Sequence, residues 1–483
     1  MQTIDLIVFL VITGGIVLLG ASFWRRKTSS DDFTAAGGNL PGWVVGMSIF
    51  TTYVSSISFL GYPARSFSSD WNAFVFSLSI PVASFLAARY FVPFYRKQAS
   101  ISAYTFLEKR FGRWARWYAS ACYLLTQVAR VGSIMFLMAL PMNVLMGWDI
   151  HTIIILTSLA VILYSVLGGV KGVIWTETIQ GFVIIAGALF CMLILLYTMP
   201  EGPGQVFSIA WDSAKFSLGS FSLTNLGEST FWVCLVYGIF INLQNFGIDQ
   251  NYVQRYHAAR SVRAARFSVW FSSLLFIPMS AVFLMIGTAL YCYYSTYPVM
   301  LPEVPSNDYV FPFFIVNQMP VGLTGFLIAC VFAAGMSTVA TSFNSCSTVI
   351  LNDYYRRLRP NETDQHHVLV LKVSGVLVGL VGILVSLALT HVDNILDAWW
   401  KLSSVFSGGM LGLFLLGFLG RKVGKVDAAI GVICGVIVIG WITVDEWLGL
   451  PSLWLHEYLA IVLGTVVIFL VGFLLGKWRF SRN

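Results

Sequence analysis

The chain predicts an all-α integral membrane protein, and three features of its 483 residues carry that expectation. It is 57% hydrophobic and only 11% charged, with a mean hydropathy of +0.79, outside what a water-soluble domain uses. Apolar runs of roughly 20 residues recur from end to end, long enough to cross a hydrocarbon core of about 30 Å as helices. Alternating strands of about ten residues, the pattern of a membrane β-barrel, do not occur. Helices then remain as the way to satisfy backbone polar groups inside lipid.

Hydropathy gives about 13 spans, near 4–24, 40–65, 71–95, 115–146, 150–169, 173–199, 228–254, 265–296, 318–352, 366–391, 395–420, 426–447 and 453–477. The first ends in Arg25, Arg26 and Lys27. That is the reverse of a signal peptide's charge order, and no small-residue cleavage site follows, so the segment reads as a retained span. Basic residues then fall on alternate loops: Arg96/Lys97 with Lys109/Arg110/Arg113, Lys171, Arg255/Arg260/Arg263, Arg356/Arg357/Arg359, Arg421/Lys422/Lys425 and Lys477/Arg479/Arg482. The opposite loops carry chiefly Lys215. The positive-inside rule therefore places the N-terminus outside and the C-terminus in the cytoplasm, in a bacterial inner membrane. The net charge of +7 follows from this bias and signals no nucleic acid. Seven cysteines without CxxC or Cys/His spacing indicate neither disulfides nor zinc.

The longest loops on the less basic side, near 200–227 and 297–317, are too short for folded domains. No GxxxxGK[ST] phosphate loop is present, so transport would draw on a gradient.

Polar groups inside a span are costly unless they serve one another, an ion or a ligand. The second span holds Thr51, Thr52, Ser55, Ser56 and Ser58, followed by Gly61 and Pro63; the ninth holds Ser337, Thr338, Thr341, Ser342 and Ser345 around Gly335. Small hydroxyl residues can simply let helices pack closely. Two such spans facing each other can also supply the hydroxyls and freed carbonyls that a hard cation such as sodium needs. A site of that kind cannot carry a proton, whereas Glu177 could.

Arg130 lies in the middle of the fourth span. A guanidinium at that depth needs an anion, and its fork suits a carboxylate. The anion is either a substrate or a structural partner, Glu177 or Asp249. Glu177 opens the sixth span, where it could favour the helix dipole or serve a second cation.

At these residues the sequence resembles the sodium:solute symporter family over nearly its whole length. The stretches that carry the likeness are Pro41-Gly-Trp43, Ser55-Ser-Ile57, Ser69-Asp-Trp71, Gly168-Gly169 with Gly172-Val-Ile-Trp-Thr-Glu-Thr-Ile-Gln180, Val253-Gln-Arg-Tyr256 and Phe332-Ala-Ala-Gly-Met-Ser-Thr338. Within the family the chain is most similar to the bacterial sialic-acid symporters, which share an arginine at the position of Arg130. The resemblance implies two inverted five-helix repeats with broken first helices, here 40–199 and 228–420, with one extra helix before (4–24) and two after (426–477). It implies alternating access around a midplane site.

The resemblance places the main sodium site on the carbonyls of Thr51, Val54 and Ala334 and the hydroxyls of Ser337 and Thr338. A second sodium site would use Glu177, Ser337 and Thr341, although Glu177 stands for an aspartate and Ala340 for a serine ligand, which opens a one-sodium stoichiometry. Substrate contacts would come from Ser55, Ser58, Ala73, Ser77 and Arg130, with Ser77 and Ala73 in place of a glutamine and a phenylalanine. The expected function is sodium-coupled import of a carboxylated sugar such as N-acetylneuraminate. A uronate, another organic acid or, with Arg130 structural, a neutral sugar is the alternative. No obligate protein partner is evident. An intramembrane enzyme would need HExxH or a Ser/His constellation, and the six His offer neither. A receptor would need more than the short Arg479–Asn483 tail, and a channel would differ in lacking saturable accumulation.

Overall fold

The computed structural model describes residues 3–22, 34, 36–98, 100–165, 169–301, 303–448 and 454–482. The expected loop cluster Arg25, Arg26 and Lys27, and Gly168, lie outside the described residues. Among the described residues eleven helices are long and apolar enough to cross a membrane. The second span is a bent pair, Gly42–Tyr53 and Ile57–Ser68, whose halves meet at 56°. The shorter apolar helix Ile150–Leu163 stands at the place of the expected fifth span. Span nine begins at Leu323, later than hydropathy suggests, because Pro320 and Gly322 (φ 86°) form the turn that starts it.

Burial orders the bundle. The most hydrophobic window of span nine (Leu323–Leu358) is 89% buried and that of span one (Thr3–Ser22) only 17%, so the hydroxyl-rich helix is the centre and the first helix faces lipid. Span eight (Val262–Thr296) acts as a splint across the break in span two. Gly42 and Gly46 let the first half of span two press on Ala264 and Ser268, and Gly287 admits the carbonyl of Pro63 from the second half. Small residues at such contacts allow the backbone approach on which packing in lipid depends. The last two spans, Lys425–Leu448 and Leu459–Arg482, pair with each other and lean on span eleven (Ile395–Leu419).

The basic loops converge on one end. Arg96 donates to the carbonyl of His257 (2.9 Å) and Arg110 to that of Gly420 (2.6 Å). Arg116 and Arg357 both bond Glu108, and Arg116 also bonds Asp353. At the opposite end Lys215 holds backbone in place. Its Nζ donates to the carbonyls of Phe67 (2.7 Å) and Ser69 (2.8 Å), closing the second half of span two at its C-terminus. Arg255, counted from the sequence among the loop charges, is instead drawn into the bundle with a side chain only 3% exposed.

Candidate functional site

The site begins where span two stops being helical. The α-helix runs to Tyr53, Val54 is extended (φ −84°, ψ 97°), and the chain resumes in a π-helical turn over Ile57–Gly61. The break falls at Val54–Ser56 and not at the helix-breaking pair seen in the sequence. Pro63 lies beyond the break, inside the helical half Ile57–Ser68 and directly after its π-helical turn, where a local π adjustment accommodates the missing N–H. Three freed carbonyls in succession find three different donors. Thr51 O accepts from Ser337 Oγ (3.4 Å), Thr52 O from Arg130 Nη2 (2.6 Å) and Tyr53 O from Ser58 Oγ (3.4 Å).

The first carbonyl belongs to a cluster of neutral oxygens. The single hydrogen of Ser337 Oγ is shared between Thr51 O and the nearer Ala334 O at 2.9 Å, and Thr338 Oγ1 donates to the same Ala334 carbonyl at 3.2 Å. Thr51, Val54, Ala334, Ser337 and Thr338 are all 0–1% exposed. Four of the five expected oxygens are thus linked by contacts of 3.4 Å or less, and the fifth residue, Val54, is the extended residue at the break itself. Hydroxyls and carbonyls without a formal charge suit a hard monovalent cation. Among the described residues no group of three or more His, Cys, Asp or Glu could hold a metal ion.

Gly181 in span six backs this cluster. A Cβ there would lie 2.6 Å from Thr51 Oγ1. Gly181→Ala is therefore expected to displace Thr51 without removing an oxygen. About 1 kcal/mol of overpacking would raise the half-saturating sodium concentration roughly five-fold, measurable as sodium-dependent stabilisation of the purified protein.

The second carbonyl leads to a pocket of about 50 Å³ walled by Tyr53, Ser55, Ser58, Arg130, Asn245, Tyr252 and Trp399. Arg130 is 8% exposed, its guanidinium 5.9 Å from the Trp399 ring. Among the described residues it forms no ion pair: Glu177 is bound by Arg255, and Asp249 accepts from Asn251 N (2.7 Å) and Gln127 Nε2 (3.2 Å). Ser55 and Ser58 line the pocket, whereas Ala73 and Ser77 are buried outside its lining. Phe76 of the same helix takes the wall position and stacks on Trp400 with centroids 5.1 Å apart. Beyond this lid, Arg65 and Asp397 pair at 2.7 Å.

Beside the Arg65–Asp397 pair, Asp308 accepts from the N–H of Ile395 (2.9 Å), and burial pushes its carboxyl up to about 7, with Asp397 adding to the rise. A carboxyl raised in the folded state contributes stability that is full below its unfolded value near 4 and is lost as pH climbs through about 7. Asp308→Asn should remove that part of the pH dependence. Wild type would lose on the order of a few kcal/mol between pH 4 and 8 that the variant retains, as read by thermal unfolding across that range.

The expected second site is arranged differently from the expectation. Glu177 and Thr341 are in contact, but Ser337 is turned to the Thr51 and Ala334 carbonyls, and a guanidinium fills the space. Arg255 Nη2 lies 2.8 and 2.7 Å from the two Glu177 oxygens and 2.6 Å from Thr341 Oγ1, while Nε donates to Ser48 Oγ at 2.8 Å.

Sequence reasoning passed over Tyr53, Asn245, Tyr252, Trp399 and Trp400. For Asn245 and Tyr252 the signal that could have found them was the density of polar residues at Asn242, Gln244, Asn245, Asp249, Gln250 and Asn251. Span seven breaks there at Asp249 into Phe231–Ile248 and Gln250–Ala258.

Two interrupted helices meeting at a buried polar centre, with a cluster of neutral oxygens beside a small pocket, define a secondary transporter. The chain belongs to the sodium:solute symporter family, whose model matches residues 33–435. It is 30% identical to the sodium/sialic acid symporter NanT of Aliivibrio fischeri over 98% of this chain and 92% of that protein. It is 33% identical to the sodium/sialic acid symporter SiaT of Proteus mirabilis over 88% and 86%. The sodium-coupled monocarboxylate transporter 2 of Bos taurus is 27% identical over 92% of this chain and 73% of its own length. A solved Na+-coupled sialic acid symporter in a substrate-bound outward-open state superposes with a TM-score of 0.89 at 30% identity, covering 99% of this chain and 98% of that one.

Proposed function

We propose that the protein is a sodium-driven symporter that imports N-acetylneuraminate, a carboxylated sugar, by alternating access. The observation that carries this reading is the use of successive carbonyls at one helix break. Thr51 turns its oxygen to the neutral cluster, and Thr52 holds an arginine with no carboxylate of its own among the described residues. An ion at the first position and a carboxylate on Arg130 would each stabilise the same broken conformation, so each raises affinity for the other. The bacterial relatives are named for sodium and sialic acid and the animal relative for sodium and monocarboxylates. A carboxylate is common to both.

In this reading the sodium ligands are the carbonyls of Thr51, Val54 and Ala334 and the hydroxyls of Ser337 and Thr338. Arg130 clamps the carboxylate, and Ser55 and Ser58 bond the sugar. Drug-sized ligands occupy about 300–1,000 Å³, far more than the present 50 Å³. The Phe76–Trp400 lid must therefore part on binding, which would bring Ala73 and Ser77 to the enlarged wall. Residues 40–199 and 228–420 act as the two repeats. The basic end faces the cytoplasm of a bacterial inner membrane, with the N-terminus outside and the C-terminus inside.

The bond from Arg130 to Thr52 O favours one other reading, a neutral-sugar carrier in which Arg130 only holds the break. Calorimetric titration separates the two. N-acetylneuraminate should bind the purified protein more tightly in sodium than in choline buffer, with glucose failing to compete. Equal affinity in both salts, or competition by glucose, would refute the proposal.

A further inference from the structure

One turn below the neutral oxygen cluster lies a charged cluster that the proposed cycle does not use. Glu177, from span six, has a fully buried side chain. Each of its carboxylate oxygens is filled twice, Oε1 by Arg255 and Thr341, Oε2 by Arg255 and Ser48. Ser48 accepts from Arg255 Nε while donating to Glu177, and Thr341 donates to Glu177 while sharing the two Nη2 hydrogens with the carboxylate. The remaining guanidinium nitrogen, Nη1, donates to the carbonyl of Asn251 at 2.7 Å. Arg255 is thus bonded through all three nitrogens, and both Glu177 oxygens are already engaged by the guanidinium and by a hydroxyl.

The cluster and the neutral site share their helices. Ser48 and Thr51 are one turn apart on span two, Thr341 and Ser337 one turn apart on span nine, and Thr51 Oγ1 donates to the backbone carbonyl of Glu177 at 2.9 Å. A carboxylate one turn from a sodium site would ordinarily attract a second cation. Here an arginine, which cannot shed its proton, already supplies that charge. A sodium ion added beside Glu177 would leave one positive charge uncompensated in the middle of the bundle.

We infer that Arg255 is a built-in cation occupying the place of a second sodium ion, so that the protein couples one sodium to each solute; the inference rests on the sodium-driven reading above. Its test is the number of radiolabelled sodium ions bound by the purified full-length protein, a measurement that needs no solute. Wild type is expected to bind about one, and Glu177→Gln, which keeps a hydrogen-bonding side chain at the same place, also about one. Arg255→Met, which frees the carboxylate, is expected to bind about two, with the Hill coefficient for sodium rising from near one towards two. Should Arg255→Met fail to fold, the charge-neutral pair Glu177→Gln with Arg255→Met is expected to bind about one. Two ions in wild type falling to one in Glu177→Gln would overturn the inference, as would folded Arg255→Met binding only one. Wild type that binds no sodium would overturn the sodium-driven reading itself, a distinguishable result.

Discussion

Arg130→Ala is expected to abolish high-affinity recognition of N-acetylneuraminate while leaving the protein folded. The guanidinium lies in a pocket from which water is largely excluded, 8% exposed, without a carboxylate partner among the described residues. A carboxylate bound there would make charge-assisted, two-pronged contacts. Truncating one member of such a desolvated pair costs about 2–5 kcal/mol, which is a rise in KM of roughly 30-fold to several thousand-fold. Arg130→Lys should recover little, because a point charge cannot reproduce the fork or keep the bond to Thr52 O while holding the ligand. Folding should survive, since the variant strands no buried counter-charge. Transport kinetics beside a thermal unfolding curve would check both parts. A KM unchanged in the alanine variant would assign Arg130 to the helix break alone.

The second large effect is expected at the neutral oxygen cluster. Thr338→Ala removes one hydroxyl from a fully buried set in which Thr338 and Ser337 converge on the Ala334 carbonyl. A lost contact to a charged group is worth about 1.5–3 kcal/mol. The half-saturating sodium concentration should therefore rise roughly 10- to 100-fold, with a smaller loss of solute affinity at saturating sodium. Removing both hydroxyls, Ser337→Ala with Thr338→Ala, should leave solute binding independent of sodium. Thr338→Ser, which keeps the oxygen, should retain most of the affinity. Titrating sodium against solute binding reads all three, and an unaltered sodium dependence in the double variant would move the ion elsewhere.

What the sequence made legible follows from how strongly lipid constrains a chain. Runs of roughly 20 apolar residues admit few structures other than spanning helices, and the order of the spans follows from them. A hydroxyl run in such a helix is conspicuous, so spans two and nine and the lone Arg130 stood out. The position of the break did not. Gly61 and Pro63 look like the weak point, yet the helix continues through both from its π-helical turn, and Val54 carries the extended conformation.

Arg255 was hidden for a different reason. By count it belongs to a basic loop with Arg260 and Arg263, and only the fold turns it inward onto Glu177, 78 residues away in the chain. Trp399 and Trp400 were hidden by abundance, since aromatic residues make up 15% of this sequence and two more carry no signal. The lid that Trp400 forms with Phe76 depends on spans three and eleven meeting, which hydropathy does not address.

Sodium-driven import of a carboxylated sugar is tested most directly by uptake of radiolabelled N-acetylneuraminate into proteoliposomes under an inward sodium gradient, with wild type beside Arg130→Ala and Thr338→Ala. Wild type is expected to accumulate the solute, to lose that accumulation when the gradient is dissipated, and to exceed both variants strongly at low solute and sodium. Wild type that accumulates nothing under the gradient, or that accumulates equally without it, would contradict sodium-driven import.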